Sequence, residues 1–127
     1  MPSIDLHAHM VPPHVLELTN GGDWHGLKAE KDGEGNVFLV KDSRRFGIDP
    51  KSMWTPEQRL ADMDSIGVDV HVLSTWVQLY NYDWSVDRCL AIAKDFNDYA
   101  AELCRQWPQR FRGFSTLPMQ DVNAALR

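Results

Sequence analysis

Ile4-Asp5-Leu6-His7-Ala8-His9 sets two imidazoles two residues apart at the end of an apolar–polar alternation. A period of two is the repeat of a β-strand, whose successive side chains point to opposite faces. On that reading Asp5, His7 and His9 share one face, and Ile4 and Leu6 share the other. Two imidazoles side by side can converge on one metal ion; zinc takes a His nitrogen at about 2.0–2.1 Å. Five His in 127 residues give about 0.16 chance His-x-His pairs, so the spacing alone is a weak signal. Two surface or hydrogen-bonded histidines are the competing reading. Context favours the metal. Met10-Val11-Pro12-Pro13 follows, and its prolines cannot donate to a ladder and so end the strand. The carboxyl end of a parallel strand is where an α/β barrel builds its site. Asp5 is then either a carboxylate that orients a ligand or a structural, hydrogen-bonded one.

The elements that must position this pair alternate in type. The first strand is expected over 3–9. A long stretch over about 11–53 is rich in turn chemistry, at Gly21-Gly22, Gly26, Asp32-Gly33 and Gly35-Asn36. Within it Val37-Phe38-Leu39-Val40 reads as one arm of a hairpin and Lys28-Ala29-Glu30-Lys31 as the other. An insertion this long commonly has a task, such as lidding a site. Thr55-Pro56-Glu57-Gln58 is a capping box with Pro at the first helical position. The helix it opens, over 55–66, buries Leu60, Met63 and Ile66 and stops at Gly67. A strand over 68–73, a helix over 85–106, a strand over 111–117 and a helix beginning near Asp121 follow. Strands alternating with helices imply a parallel sheet with right-handed crossovers. Three strands close nothing, since a (β/α)8 barrel takes about 250 residues. The fold class is therefore α/β: residues 1–127 as the N-terminal part of a single TIM-barrel domain, about three βα units with an insertion after strand 1.

Composition narrows the function. The chain is 43% hydrophobic and 24% charged with a net charge of −5, which fits an ordinary globular protein and argues against a nucleic-acid partner. No apolar run approaches the ~20 residues of a membrane helix, and no secretory signal pattern opens the chain. A cytoplasmic protein without a membrane partner is expected. Cys89 and Cys104 fall in one helix, too far apart along its axis to bridge, and are expected as reduced packing thiols.

Taken with the first strand, Trp54-Thr55-Pro56, Asp62-Met63-Asp64, Gly67-Val68, Leu73-Ser74-Thr75 and Arg110-Phe111-Arg112-Gly113-Phe114-Ser115-Thr116-Leu117-Pro118-Met119 resemble one family in register along the whole chain. It is the amidohydrolase-related group that includes aminocarboxymuconate semialdehyde decarboxylase. The resemblance implies a barrel of the metal-dependent-hydrolase type with a divalent metal, most often zinc. His7 and His9 would be its first-strand ligands. The family completes the site with further His and a late Asp, all beyond position 127. It also holds a substrate carboxylate with an Arg a few residues before the Trp that opens the first helix. This sequence departs there: Lys51 stands near that place, with Arg44 and Arg45 further upstream. Thr75 and Trp76 end the second strand and are candidate substrate contacts.

The implied function is a metal-dependent carboxy-lyase acting on a small unsaturated or aromatic carboxylic acid. An amidohydrolase-type hydrolase, or an inactive truncated fragment of either, is the alternative. A phosphoesterase of the polymerase-and-histidinol-phosphatase type would place an acidic–His pair after the second strand, where this chain has Leu73-Ser74-Thr75. With two ligands, the chain alone is expected to bind zinc weakly and not to turn over. A homodimer is left open for the full-length protein. His71 is expected to be structural, and His14 and His25 to be solvated loop residues. Arg59 is expected to face solvent beside Asp62 and Asp64.

Overall fold

Along the chain, β1 (Ile4–Met10) leads into a short helix α1 (His14–Glu17) and a 3₁₀ turn (Leu18–Asn20). Then come β2 (Lys28–Lys31), β3 (Val37–Lys41), β4 (Arg44–Gly47) and a second 3₁₀ turn (Pro50–Met53). The chain continues through α2 (Pro56–Ile66), β5 (Val70–Thr75), a 3₁₀ turn (Val77–Leu79), α3 (Val86–Gln106), β6 (Phe111–Gly113) and α4 (Val122–Ala125). The computed structural model describes residues 1–126. β1, β5 and β6 form one parallel sheet with β5 in the middle, the order that sequential right-handed crossovers require.

Local chemistry sets the helices. Gln58 N–H donates to Thr55 Oγ1 at 3.3 Å, and Thr55 N–H donates to Gln58 Oε1 at 3.0 Å. At the other end Gly67 adopts a φ of +73°, a left-handed stop that a side chain would strain. Met63 of α2 and Phe96, Ala100 and Leu103 of α3 pack on Ala8, Met10, Leu73 and Phe111. The helices therefore cover one face of the sheet. The other face is open at its amino end, where Ile4 and Leu6 are 52% and 65% exposed beside Val70 and Val72.

Strict alternation fails in β1, and this corrects the facial assignment read from its period. Ile4 and Asp5 lie opposite Val70 and His71, but Ala8 lies opposite Leu73, so β1 carries one extra residue between Asp5 and Ala8. His7 N–H donates to Asp5 Oδ1 at 2.8 Å and stitches this bulge. A slip of one residue exchanges the faces. Asp5 joins His71 on the helix-covered side, its Oδ2 3.6 Å from His71 Nε2. Ile4 and Leu6 instead share the open face with His9.

The insertion is a three-stranded antiparallel meander rather than a hairpin, because β4 adds to the predicted pair. Asp42 and Ser43 join β3 to β4 with φ of 47° and 65°, the double left-handed turn that suits tight hairpins. Its core residues Val15, Leu18, Trp24, Leu27 and Leu39 are continuous with Trp76, Leu79 and Ile92 of the main body. Polar ties reinforce the seam. Asp95 of α3 accepts from Trp24 Nε1 at 2.7 Å and from His25 Nε2 at 2.8 Å, and Lys41 pairs with Asp83 at 2.7 Å. The insertion is a packed wall, not a hinged lid. The third strand stops early at Gly113 because the Asn97 side chain takes over: it accepts from Thr116 N–H at 2.8 Å and donates to Thr116 O at 2.9 Å. Both cysteines are free.

Candidate metal and substrate site

The carboxyl ends of β1 and β5 meet at His9. Its Nδ1 lies 3.1 Å from the main-chain oxygen of Thr75 and 3.2 Å from Ser74 Oγ. A carbonyl only accepts, so Nδ1 carries a proton, and in the neutral ring the lone pair is then on Nε2. That is the tautomer and the carbonyl tether typical of a metal-binding His. His7, carried by the bulge, is exposed, and its ring stands edge-on to that of His9 with centroids 4.6 Å apart. Two imidazoles so placed suit a borderline divalent ion such as zinc. Among the described residues no third His, Cys, Asp or Glu joins them in a metal-holding group.

A cavity of about 390 Å³ wraps the free edge of β1. Its lining includes His7, His9 and Trp76 together with Asp5, Arg59 and His71. Lys51 projects into it, its Nζ 3.2 Å from both oxygens of Asp62 and 4.9 Å from the centroid of the Trp54 ring. The cavity thus offers two imidazoles, an exposed cation held by the half-buried Asp62 carboxylate, and indole walls.

No family model matches the chain. The 2-amino-3-carboxymuconate-6-semialdehyde decarboxylase of Caenorhabditis elegans is 29% identical over 124 residues, covering 97% of this chain and 31% of the worm protein. The crystal structure of 2,6-dihydroxybenzoate decarboxylase from Rhizobium matches with a TM-score of 0.65 and 25% identity, over 98% of this chain and 32% of that one. The chain is similar in sequence and in fold to these decarboxylases. A dihydroxybenzoic acid decarboxylase from Polaromonas sp. JS666, solved with manganese and 2-nitroresorcinol, shares the fold at a TM-score of 0.63 and 24% identity, over 98% of this chain and 33% of that one. The chain spans about a third of the length of these proteins. Its parallel sheet is part of their TIM barrel, and His9 lies at the carboxyl ends of the strands. Among the described residues, no helix is long and apolar enough to cross a membrane.

Set against the site expected of an amidohydrolase-type decarboxylase, the residues singled out in the sequence divide. His7, His9, Lys51 and Trp76 come together around the cavity. Thr75 does not offer its side chain: opposite Met10 on the helix-covered side, it is 2% exposed with Oγ1 buried and unpaired, and only its carbonyl serves the site. Arg44 and Arg45 lie on β4, outside the cavity lining, and Arg45 pairs with Glu30 at 3.0 Å and covers the Phe38 ring. His14 and His25 are absorbed by the insertion, with His14 edge-on to the Trp24 ring and burial holding it below the usual His range. His71 is buried in the sheet, and burial, followed by the nearby Arg59 charge, lowers its pKa.

Arg59 is the residue the sequence reading misplaced. It is 4% exposed, and its Nη2 donates to His9 O at 3.2 Å and to Lys51 O at 2.9 Å. The signal lay in the helical spacing, because Arg59 precedes the fully buried Met63 by one turn and shares its flank.

Proposed function

We propose that this chain supplies the first-strand metal ligands and part of the substrate cavity of a metal-dependent carboxy-lyase for a small unsaturated or aromatic carboxylic acid. Residues 1–127 are then the N-terminal part of one barrel domain. The observation that carries the reading is His9, pinned through Nδ1 to the Thr75 carbonyl so that Nε2 stands free beside the His7 ring. The decarboxylase names of the relatives favour loss of carbon dioxide over hydrolysis.

The ion is zinc on this proposal, since two neutral imidazoles bind it more tightly than manganese. When bound, it supplies Lewis-acid polarisation of a substrate oxygen and an acidified water. His7 and His9 hold it at the strand ends. Lys51 takes the substrate carboxylate in exchange for Asp62, which holds it in the free protein. Trp54 and Trp76 give a flat acid apolar walls and keep bulk water away from it. Two ligands leave the ion mostly hydrated, so the chain alone binds it weakly and releases no carbon dioxide. The net charge of −5 and the thiols, both free, support a cytoplasmic enzyme of small molecules.

Calorimetric titration of zinc and manganese into the chain, with His7→Asn and His9→Asn beside it, tests the reading. One zinc site, tighter than the manganese site and weakened at least about tenfold by either substitution, is the expected result. Zinc binding indifferent to both substitutions would sink it. Carbon dioxide release from 2,6-dihydroxybenzoate by the chain alone would refute the incomplete ligand set.

A further inference from the structure

β1 is bonded to β5 along one edge, where Met10 O accepts from Trp76 N–H at 3.3 Å. Backbone groups alternate sides along a strand, so His9 O and Val11 N–H point to the opposite, unpaired edge. Both are nevertheless satisfied there. Val11 N–H donates to Ser52 O at 2.9 Å. His9 O accepts from Arg59 Nη2, which also donates to Lys51 O. One guanidinium nitrogen therefore joins the main chain of the candidate metal ligand to the main chain of the candidate substrate cation.

The electrostatics make this an unusual use of an Arg. Arg59 is 4% exposed, and among the described residues no carboxylate lies within 4.0 Å of its guanidinium. A buried charge without a close counter-ion is costly. Its retained hydrogen bonds are to two carbonyls, and both belong to residues of the cavity. A site that holds a metal needs its donors placed to within about 0.5 Å, and an unpaired strand end is the part of β1 with the fewest restraints. Thr75 O fixes the ring of His9 from the β5 side, and Arg59 fixes its backbone from the free side.

We propose that Arg59 is a positioning residue that locks the His9 end of β1 to the Lys51 segment, setting the metal ligand and the carboxylate-binding cation relative to each other. The metal part of this proposal rests on the reading of His7 and His9 given above; the clamp itself does not.

The test uses the whole chain with Arg59→Met, which keeps the buried stem, and Arg59→Lys, which keeps the charge. Two quantities are measured: zinc affinity, and hydrogen exchange of the Val11 amide relative to the Phe96 and Leu103 amides of α3, which report global opening. Arg59→Met should speed Val11 exchange at least tenfold more than it speeds the α3 amides, and should weaken zinc at least tenfold, with Arg59→Lys between it and wild type. If Arg59→Met fails to fold, Arg59→Lys carries both measurements. An exchange ratio equal to wild type overturns the clamp, as does an unchanged zinc affinity when wild type binds zinc. A wild type that binds no zinc while the ratio still rises removes the metal reading and leaves the clamp standing.

Discussion

Truncating Asp95 should loosen the wall that carries Lys51 and Trp54 into the cavity. The Asp95 carboxylate is the shared acceptor for the Trp24 indole at 2.7 Å and the His25 imidazole at 2.8 Å. A hydrogen bond to a charged group contributes about 1.5–3 kcal/mol, and a buried donor left unpaired costs about 1–3 kcal/mol. The Asp95 side chain is 43% exposed and that of His25 33%, so solvent screening puts the His25 bond near the bottom of that scale. The Trp24 indole, on a residue only 7% exposed, dominates. Asp95→Ala should therefore cost roughly 2 kcal/mol, or about 6–10 °C in a domain of this size. Burial pushes the Asp95 carboxyl up, but the Trp24 and His25 bonds outweigh it and leave the pKa below the usual carboxylate range. A depressed carboxyl stabilises the fold fully above its unfolded value of about 3.9 and loses that contribution as the pH falls through the folded value. The gap between wild type and Asp95→Ala should hold from pH 7 to about pH 5 and close below about pH 4. Urea unfolding across that range, in a double-mutant cycle with Trp24→Phe, reads both effects. Additivity of the two substitutions within about 0.3 kcal/mol, or a gap that persists to the lowest pH, would refute the reasoning.

The bulge in β1 makes Leu6 a surface residue and Ala8 a core one, so Leu6→Lys should change stability by less than about 0.5 kcal/mol, whereas Ala8→Lys should prevent folding. Equal effects in urea would restore strict alternation. Thr75→Val removes a buried hydroxyl that has no partner and should be neutral or stabilising by up to about 1 kcal/mol; a thermal melt lowered by several degrees would show that the hydroxyl is used.

Much of the frame was legible because its determinants are local. The capping box at Thr55, the glycine stop at Gly67 and the apolar stripe of α3 each specify an element from neighbouring residues, and once the elements are known the parallel order follows from chain handedness. The facial assignment of β1 was not legible in the same way. Its bulge depends on which residue of β5 each residue meets, and that register is non-local. β4 escaped notice because Arg44 and Arg45 look like a basic loop; only pairing to β3 across the Asp42-Ser43 turn makes them a strand. At the site, the spacing of His7 and His9 announced itself, but the Thr75 carbonyl that orients His9 carries no signature in residue type. Arg59 was misread because a charged residue on a short helix defaults to solvent, and only its tertiary position beside β1 supplies the two carbonyls that hold it.

The unpaired edge of β1 has a further bearing on how copies of this chain meet in concentrated solution. Its carboxyl half is already occupied by Ser52 and Arg59, leaving the stretch from Ile4 to His7 open to a neighbour. At about 3.3 Å per residue that stretch offers a ladder of only about 13 Å, and the bulge bends its far end. Edge-to-edge growth of the fibril kind is thereby blunted. Contact through the exposed Ile4 and Leu6 is not. Clumping of this chain should therefore behave as hydrophobic association, which eases on cooling, and not as templated strand addition, which would persist in the cold and seed fresh material.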